Sequence, residues 1–154
     1  MFNIILFQPE IPPNTGNIIR LCANTGALLH LVEPLGFNLD EARVKRAGLD
    51  YRHVAQVVRY PDWSSYLEQN KETRLWAFST RGTRIYSEAA FREGDGLLFG
   101  PETRGLPDDI LEYLGPEQVL RIPMRESSRS VNLSNTVAAG LYEALRQTGF
   151  AGLG

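Results

Sequence analysis

Short apolar runs separated by amphipathic stretches set the rhythm of the chain. Six runs rich in Ile, Leu, Val or aromatic residues predict strands near 3–8, 28–33, 54–59, 74–79, 96–99 and 118–122. Helices are expected in the gaps. The first should run from about Thr15 to Thr25, with Asn14 or Thr15 as its N-cap and Gly26 as its stop. The last should run from Ser134 to Gln147, where Val137, Leu141, Ala144 and Leu145 fall on one helical face and Gly149 lies past the end. Strands alternating with helices specify an α/β domain, a mainly parallel sheet with helices on both faces. No internal repeat, low-complexity tract or linker interrupts the pattern, so residues 1–154 read as a single domain whose C-terminal Gly-Leu-Gly is expected to fray.

Glycine and proline break this rhythm at two informative places. Leu97-Leu98-Phe99-Gly100-Pro101-Glu102-Thr103-Arg104-Gly105-Leu106-Pro107 hands an apolar strand to a polar loop. A second such loop runs from Ile122-Pro123-Met124 to Ser130-Val131-Asn132-Leu133-Ser134-Asn135. The two are about one strand-and-helix unit apart and are placed to flank one small molecule. The turn after the first strand, Pro9 to Asn17, has neither the three-glycine phosphate turn nor a P-loop lysine. Ligand binding is therefore expected in the C-terminal third. There is no Gly-x-Ser-x-Gly elbow and no His-Glu-x-x-His helix, and two histidines are too few for most acid–base schemes.

Composition narrows the possibilities. A chain of 154 residues with 43% hydrophobic content can bury one real core. A net charge of −2 argues against a protein that coats nucleic acid, so any RNA contact must be local. The cations are lopsided: only Lys45 and Lys71 are lysines, while arginines recur at 43, 46, 52 and 59 and again at 121, 125 and 129. Arginine is the better phosphate fork, although the same residues also suit solvated faces. The opening Met1 to Gln8 is too short to span a bilayer and lacks a basic start or cleavage-like end, which predicts a cytoplasmic protein without membrane association. The lone Cys22, with only His30 and His53 beside it, offers no disulfide and no metal-ligand spacing, so neither is expected. Cys22 reads as a core residue, with a nucleophile as the competing role.

Three segments carry a resemblance: Asn14-Thr15-Gly16-Asn17-Ile18-Ile19-Arg20, Phe99 to Gly105, and Ile122-Pro123-Met124 with Ser130 to Asn135. In order and spacing they resemble the three motifs of the SPOUT class of RNA methyltransferases. Within that class the chain resembles the small single-domain tRNA ribose methyltransferases of wobble nucleotide 34. The likeness extends from end to end and includes Cys22-Ala23-Asn24-Thr25-Gly26 and Arg46-Ala47-Gly48-Leu49-Asp50-Tyr51. It implies a C-terminal trefoil knot and a homodimer in which each site is finished by the partner. It also implies methyl transfer from S-adenosyl-L-methionine, without a metal, to the ribose 2'-hydroxyl of cytidine or uridine 34, in leucine tRNAs, leaving S-adenosyl-L-homocysteine. Surplus apolar surface on the first and last helices suits a dimer contact, although packing on the sheet would use the same surface.

The resemblance also assigns residues. Phe78, Gly100, Ile122 and Ser130 are the expected cofactor contacts, joined by Met124 and Leu133, which offer apolar surface and backbone amides. Gly100 and Gly105 would let main chain approach the ligand. Phe78 and Ile122 also suit plain core packing. Arg20 is the expected catalytic residue; permanently protonated, it stabilises charge on the ribose oxygen or clamps a phosphate and does not act as a base. Asn14 and Glu102 are expected to orient Arg20 or the loop, with Asn135 in the same role. Competing roles are a helix N-cap for Asn14 and an ion pair with Arg104 for Glu102. Arg43, Lys45, Arg46 and Arg129 are candidate phosphate contacts to a single-stranded anticodon loop of tRNA. Val131 stands where Leu or Met is frequent. The alternatives are a noncatalytic knotted RNA-binding protein, a ribose methyltransferase for another tRNA or rRNA position, and a small-molecule methyltransferase or nucleotide-binding enzyme. Intact Asn14, Arg20 and Glu102 weigh against the first, and the missing glycine-rich turn against the last.

Overall fold

In the computed structural model residues 1–39 and 57–154 are described. Seven strands form one sheet: β1 (Asn3–Phe7), β2 (Leu28–Val32), β3 (Val57–Tyr60), β4 (Leu75–Phe78), β5 (Arg84–Ile85), β6 (Gly96–Phe99) and β7 (Val119–Arg121), in the order β3-β2-β1-β6-β4-β7-β5. Every pairing is parallel, with Ile5 opposite His30 on one side and Leu98 on the other. The helices are α1 (Pro12–Thr25), α2 (Trp63–Gln69), α3 (Asp108–Leu114) and α4 (Leu133–Gln147).

Side-chain alternation sorts the core into two layers. Ile4, Leu6, Leu29, Leu31, Leu97 and Phe99 point to one face, where they meet Ile18, Ile19 and Cys22 of α1 and Val137, Leu141 and Leu145 of α4. Ile5, Phe7, Val32, Ala77 and Leu98 point to the other, beneath Tyr66 of α2 and Ile110 of α3. Helices therefore cover both faces, which is why the central strands read as continuous apolar runs. Each wholly buried Ile or Leu contributes roughly 1.5–3 kcal/mol. Burial raises the Cys22 thiol to about 12, so it is a core residue and not a nucleophile.

Several boundaries differ from expectation. Helix α1 begins at Pro12, because the fixed φ of Pro12 and Pro13 suits a first turn that needs no N–H donors. Its N-cap is Ile11, so neither Asn14 nor Thr15 caps it. Helix α4 starts at Leu133 and is capped by Asn132, whose Oδ1 accepts from the Asn135 N–H at 3.2 Å. Gly149 ends it in the left-handed region, with its N–H on the Arg146 carbonyl and the Phe150 N–H on the Leu145 carbonyl. The third strand runs over Val57–Tyr60; residues 54–56 of the expected 54–59 lie outside the described residues. The two-residue β5 was not expected, being too short to leave a pattern.

Candidate active site

In a parallel sheet every strand ends at the same edge, and ligands gather there. Four loops follow that rule: Gln8 to Ile11 after β1, Ser79 to Gly82 after β4, Gly100 to Pro107 after β6, and Ile122 to Asn132 after β7. Residues from all four line one cleft of about 560 Å³, within the range of small-molecule sites.

Two glutamates tie the first loop to the third. Glu102 accepts hydrogen bonds from the Glu10 N–H (2.8 Å), the Ile11 N–H (2.7 Å) and Asn14 Nδ2 (3.2 Å). Helix α1 has no acidic residue in its own first turn, so Glu102 supplies negative charge at its N-terminus from the loop after the neighbouring strand β6. Glu10 returns the exchange by accepting from the Thr103 N–H (2.9 Å) and Oγ1 (2.7 Å). Those bonds, aided by Arg104, hold the Glu10 carboxyl below the usual carboxylate range. Arg104 lies 3.8 Å from Glu10 and donates to Gln8, so the ion pair considered for Glu102 is replaced by one with Glu10.

Asn14, only 6% exposed, joins the third loop to the fourth. While donating to Glu102 it accepts from Asn132 Nδ2 at 3.1 Å. The three motifs thus meet in one hydrogen-bonded chain, Glu102–Asn14–Asn132.

The Ser79–Gly82 loop is wedged between the others. Arg81 donates to Asp108 and to the Leu106 carbonyl, and the Arg121 guanidinium holds the Thr80 carbonyl. Gly82 presses on Leu120, where a Cβ would lie 2.8 Å from the carbonyl oxygen. Beneath the cleft Phe78 stacks on Phe99 with ring centroids 4.7 Å apart.

The expected cofactor residues Phe78, Gly100, Ile122, Met124, Ser130 and Leu133 all line this cleft, together with Asn14, Glu102 and Arg129. Phe78 is also a core residue, as its competing role required. Gly100 has an additional reason to be glycine: a Cβ there would meet the Leu106 nitrogen at 2.3 Å, so the loop closes on itself through this position. Arg20 is exposed on α1 and is not part of the cleft wall; nor is Asn135. Six residues beyond Asn14, Arg20 lies about 9 Å further along the helix and on another face. Arg43, Lys45 and Arg46, with the segment Arg46 to Tyr51, lie outside the described residues. Ser79, Thr80 and Arg81 line the cleft without having been singled out by sequence; their place directly after the fourth strand was the available signal. Among the described residues no three His, Cys, Asp or Glu side chains group as metal ligands, and no helix is long and apolar enough to cross a membrane.

The parallel sheet gathers the loops of the three motifs into one cleft, and the same combination recurs in a known family. The chain belongs to the SpoU rRNA methylase family, whose profile matches residues 1–142. It is 60% identical over 152 residues to the tRNA (cytidine(34)-2'-O)-methyltransferase of Saccharophagus degradans, with 99% of each chain covered. A solved structure concerned with the 2-OH methylation of C/U34 on tRNA superposes with a TM-score of 0.90 at 46% identity, covering 97% of each chain. The SpoU methyltransferase AviRb from Streptomyces viridochromogenes, in complex with the cofactor AdoMet, gives a TM-score of 0.79 at 27% identity over 95% of this chain and 57% of its own.

Proposed function

We propose that this chain transfers a methyl group from S-adenosyl-L-methionine to the ribose 2'-hydroxyl of cytidine or uridine 34 in the anticodon loop of tRNA, with leucine tRNAs as the substrates. The observation that carries the reading is the cleft at the C-terminal edge of the sheet, where all three motifs are hydrogen-bonded together, in a chain 60% identical to a tRNA (cytidine(34)-2'-O)-methyltransferase.

The cleft fits the cofactor by its chemistry. Phe78, Ile122, Met124 and Leu133 form apolar walls for an adenosine, and the loops around Gly100 and Ser130 bring backbone groups and a hydroxyl to its polar parts. S-Adenosylmethionine supplies an electrophilic methyl that leaves sulfur as the new carbon–oxygen bond forms, and the hydroxyl proton passes to solvent or an RNA phosphate. Asn14 and Glu102 hold the three loops in register, so the geometry needed for in-line transfer is built before RNA arrives. Arg20 stabilises the developing oxygen charge. Arg129, with Arg43, Lys45 and Arg46, contacts phosphates. Because Arg20 is outside its own cleft, the reading includes a homodimer in which Arg20 serves the partner's site. A C-terminal trefoil knot belongs to it as well, supported by the path of the chain out to β5, in to β6, over to β7 and back to α4 against α1. The cytoplasm is the expected compartment.

Calorimetry should show S-adenosylmethionine binding without added metal, and mass analysis of tRNA from cells with and without the chain should show loss of the 2'-O-methyl group at nucleotide 34. Binding that is absent or metal-dependent, or an unchanged nucleotide 34, would overturn the reading.

A further inference from the structure

Ile11 occupies a position where helices select Ser, Thr, Asp or Asn, because an N-cap side chain normally accepts a first-turn N–H bond. Here the side chain is apolar and 41% exposed. No side-chain acceptor is needed there, because Pro12 and Pro13 carry no N–H and the Asn14 N–H bonds the Ile11 carbonyl at 3.1 Å. With no capping bond to make, the Ile11 side chain is free to face the cleft it lines. Val131 is comparable: 37% exposed, it directly precedes Asn132, the N-cap of α4. Both β-branched side chains line the cleft, and the Asn132–Asn14 bond pins their two segments together.

Three polar side chains around them are already engaged within the protein. Thr103 Oγ1 donates to Glu10, Thr136 Oγ1 donates to the Asn132 carbonyl at 3.1 Å, and Asn132 Oδ1 accepts from Ser134 Oγ and the Asn135 N–H. Two cleft arginines flank the mouth. Arg104 is largely exposed and makes only long contacts, 3.8 Å to Glu10 and 3.3 Å to Gln8, and Arg129 is exposed with no partner among the described residues.

We propose that this mouth is the subsite for the target nucleotide: its base packs on Ile11 and Val131, and Arg104 and Arg129 hold the neighbouring phosphates. The inference rests on the function proposed above and specifies how the base is read. A pyrimidine splayed from a single strand presents a flat, weakly polar face. Stiff β-branched side chains form a platform that loses little entropy on contact. Guanidinium forks match the flanking phosphates. Because Thr103, Asn132 and Thr136 are spent within the protein and the Ser130 hydroxyl is given to the cofactor, the base is read by shape and not by its hydrogen-bonding edge. A site that bonds an edge rejects the wrong partner by roughly 10⁴-fold or more, whereas a packing site separates near-isosteres such as cytidine and uridine by about 10²-fold or less.

Steady-state kinetics with tRNAs carrying C34 or U34 test this. The unaltered protein should show kcat/KM values within about a hundredfold of each other. Ile11→Ala and Val131→Ala should each raise KM for tRNA roughly tenfold with little change in kcat, a loss in the range expected for one trimmed apolar contact. Ile11→Val and Val131→Ile should restore it. Calorimetric affinity for S-adenosylmethionine and the mass by light scattering should be unchanged in all four. The subsite is overturned by an unchanged KM in both alanine variants, by a strong preference of the unaltered protein for one base, by lost cofactor affinity, which would make these residues cofactor walls, or by a loss of dimer, which would mean a second copy covers the mouth. An unaltered protein that binds no S-adenosylmethionine or leaves nucleotide 34 unmethylated removes the underlying reading, and the subsite falls with it.

Discussion

Two side chains show how single groups shape this molecule. Glu102 satisfies two backbone N–H groups and Asn14 at once, so Glu102→Ala should lower stability by about 2 kcal/mol, measured by urea denaturation, and weaken cofactor binding by freeing two loops. An alanine variant with unchanged stability and affinity would show that the loops hold without it. His30 acts through protons. It is 3% exposed, its Nδ1 is 2.8 Å from the Tyr60 hydroxyl and its Nε2 is 2.9 Å from Asn3 Oδ1. Burial lowers it to about 4, so between its ordinary value of 6.5 and pH 4 the unfolded chain takes up a proton that the native chain refuses. Its contribution is therefore complete above pH 6.5 and is lost as pH falls toward 4, by at most about 1.4 kcal/mol per pH unit. Denaturation midpoints at pH 7 and 4.5 should converge in His30→Gln relative to the unaltered protein. Equal pH dependence in both would refute the assignment.

At the scale of elements, two glycines in the same region have different meanings. A Cβ at Gly140 of α4 would lie 2.8 Å from the Phe78 ring, the far end of a side chain that can move. Gly140→Ala should keep the fold and displace this cleft wall, raising the Kd for S-adenosylmethionine roughly tenfold, about 1.4 kcal/mol. An unchanged Kd would mean that Phe78 does not set the cofactor's position. At Gly100 the clash is with backbone, 2.3 Å from the Leu106 nitrogen, so even alanine there should cost folding. In the sequence Gly100 suggests room for a ligand, whereas in the fold the loop's own closure also requires it. The strands and α4 were legible because burial on two faces leaves continuous apolar runs and burial on one leaves a stripe, both local patterns. The start of α1 was not, since Pro12 and Pro13 read equally as a turn. Nor were the partners of Glu102 and Asn14. Asn14 bonds residues 88 and 118 positions away, and nothing local in a sequence marks such a pair. The resemblance named the residues that meet in the cleft; the bonds that bring them there come from the fold.

For the whole molecule the open relation is between Arg20 and the cleft. Within one chain they are apart: Asn14 faces the cleft, and Arg20 stands exposed further along α1. In the proposed homodimer Arg20 reaches the ribose bound by the partner, so Arg20→Ala should lower kcat about 10²- to 10³-fold while cofactor affinity stays intact. Arg20→Lys should recover only part, because the planar fork is gone. Mixing makes the argument decisive. Ile122→Asp places a charge on the apolar cleft wall and should abolish cofactor binding with Arg20 untouched. When Arg20→Ala and Ile122→Asp chains are co-refolded, half of the dimers are mixed. If sites are completed across the interface, each mixed dimer has one cleft that is sound and receives an intact Arg20, which restores about a quarter of full activity. If Arg20 serves its own chain's cleft, both clefts of the mixed dimer are defective and activity stays at the level of the single variants. Recovery near a quarter would fix the dimer as the unit of catalysis; no recovery, with mixed dimers verified by mass, would return Arg20 to its own chain and require α1 to move before methyl transfer.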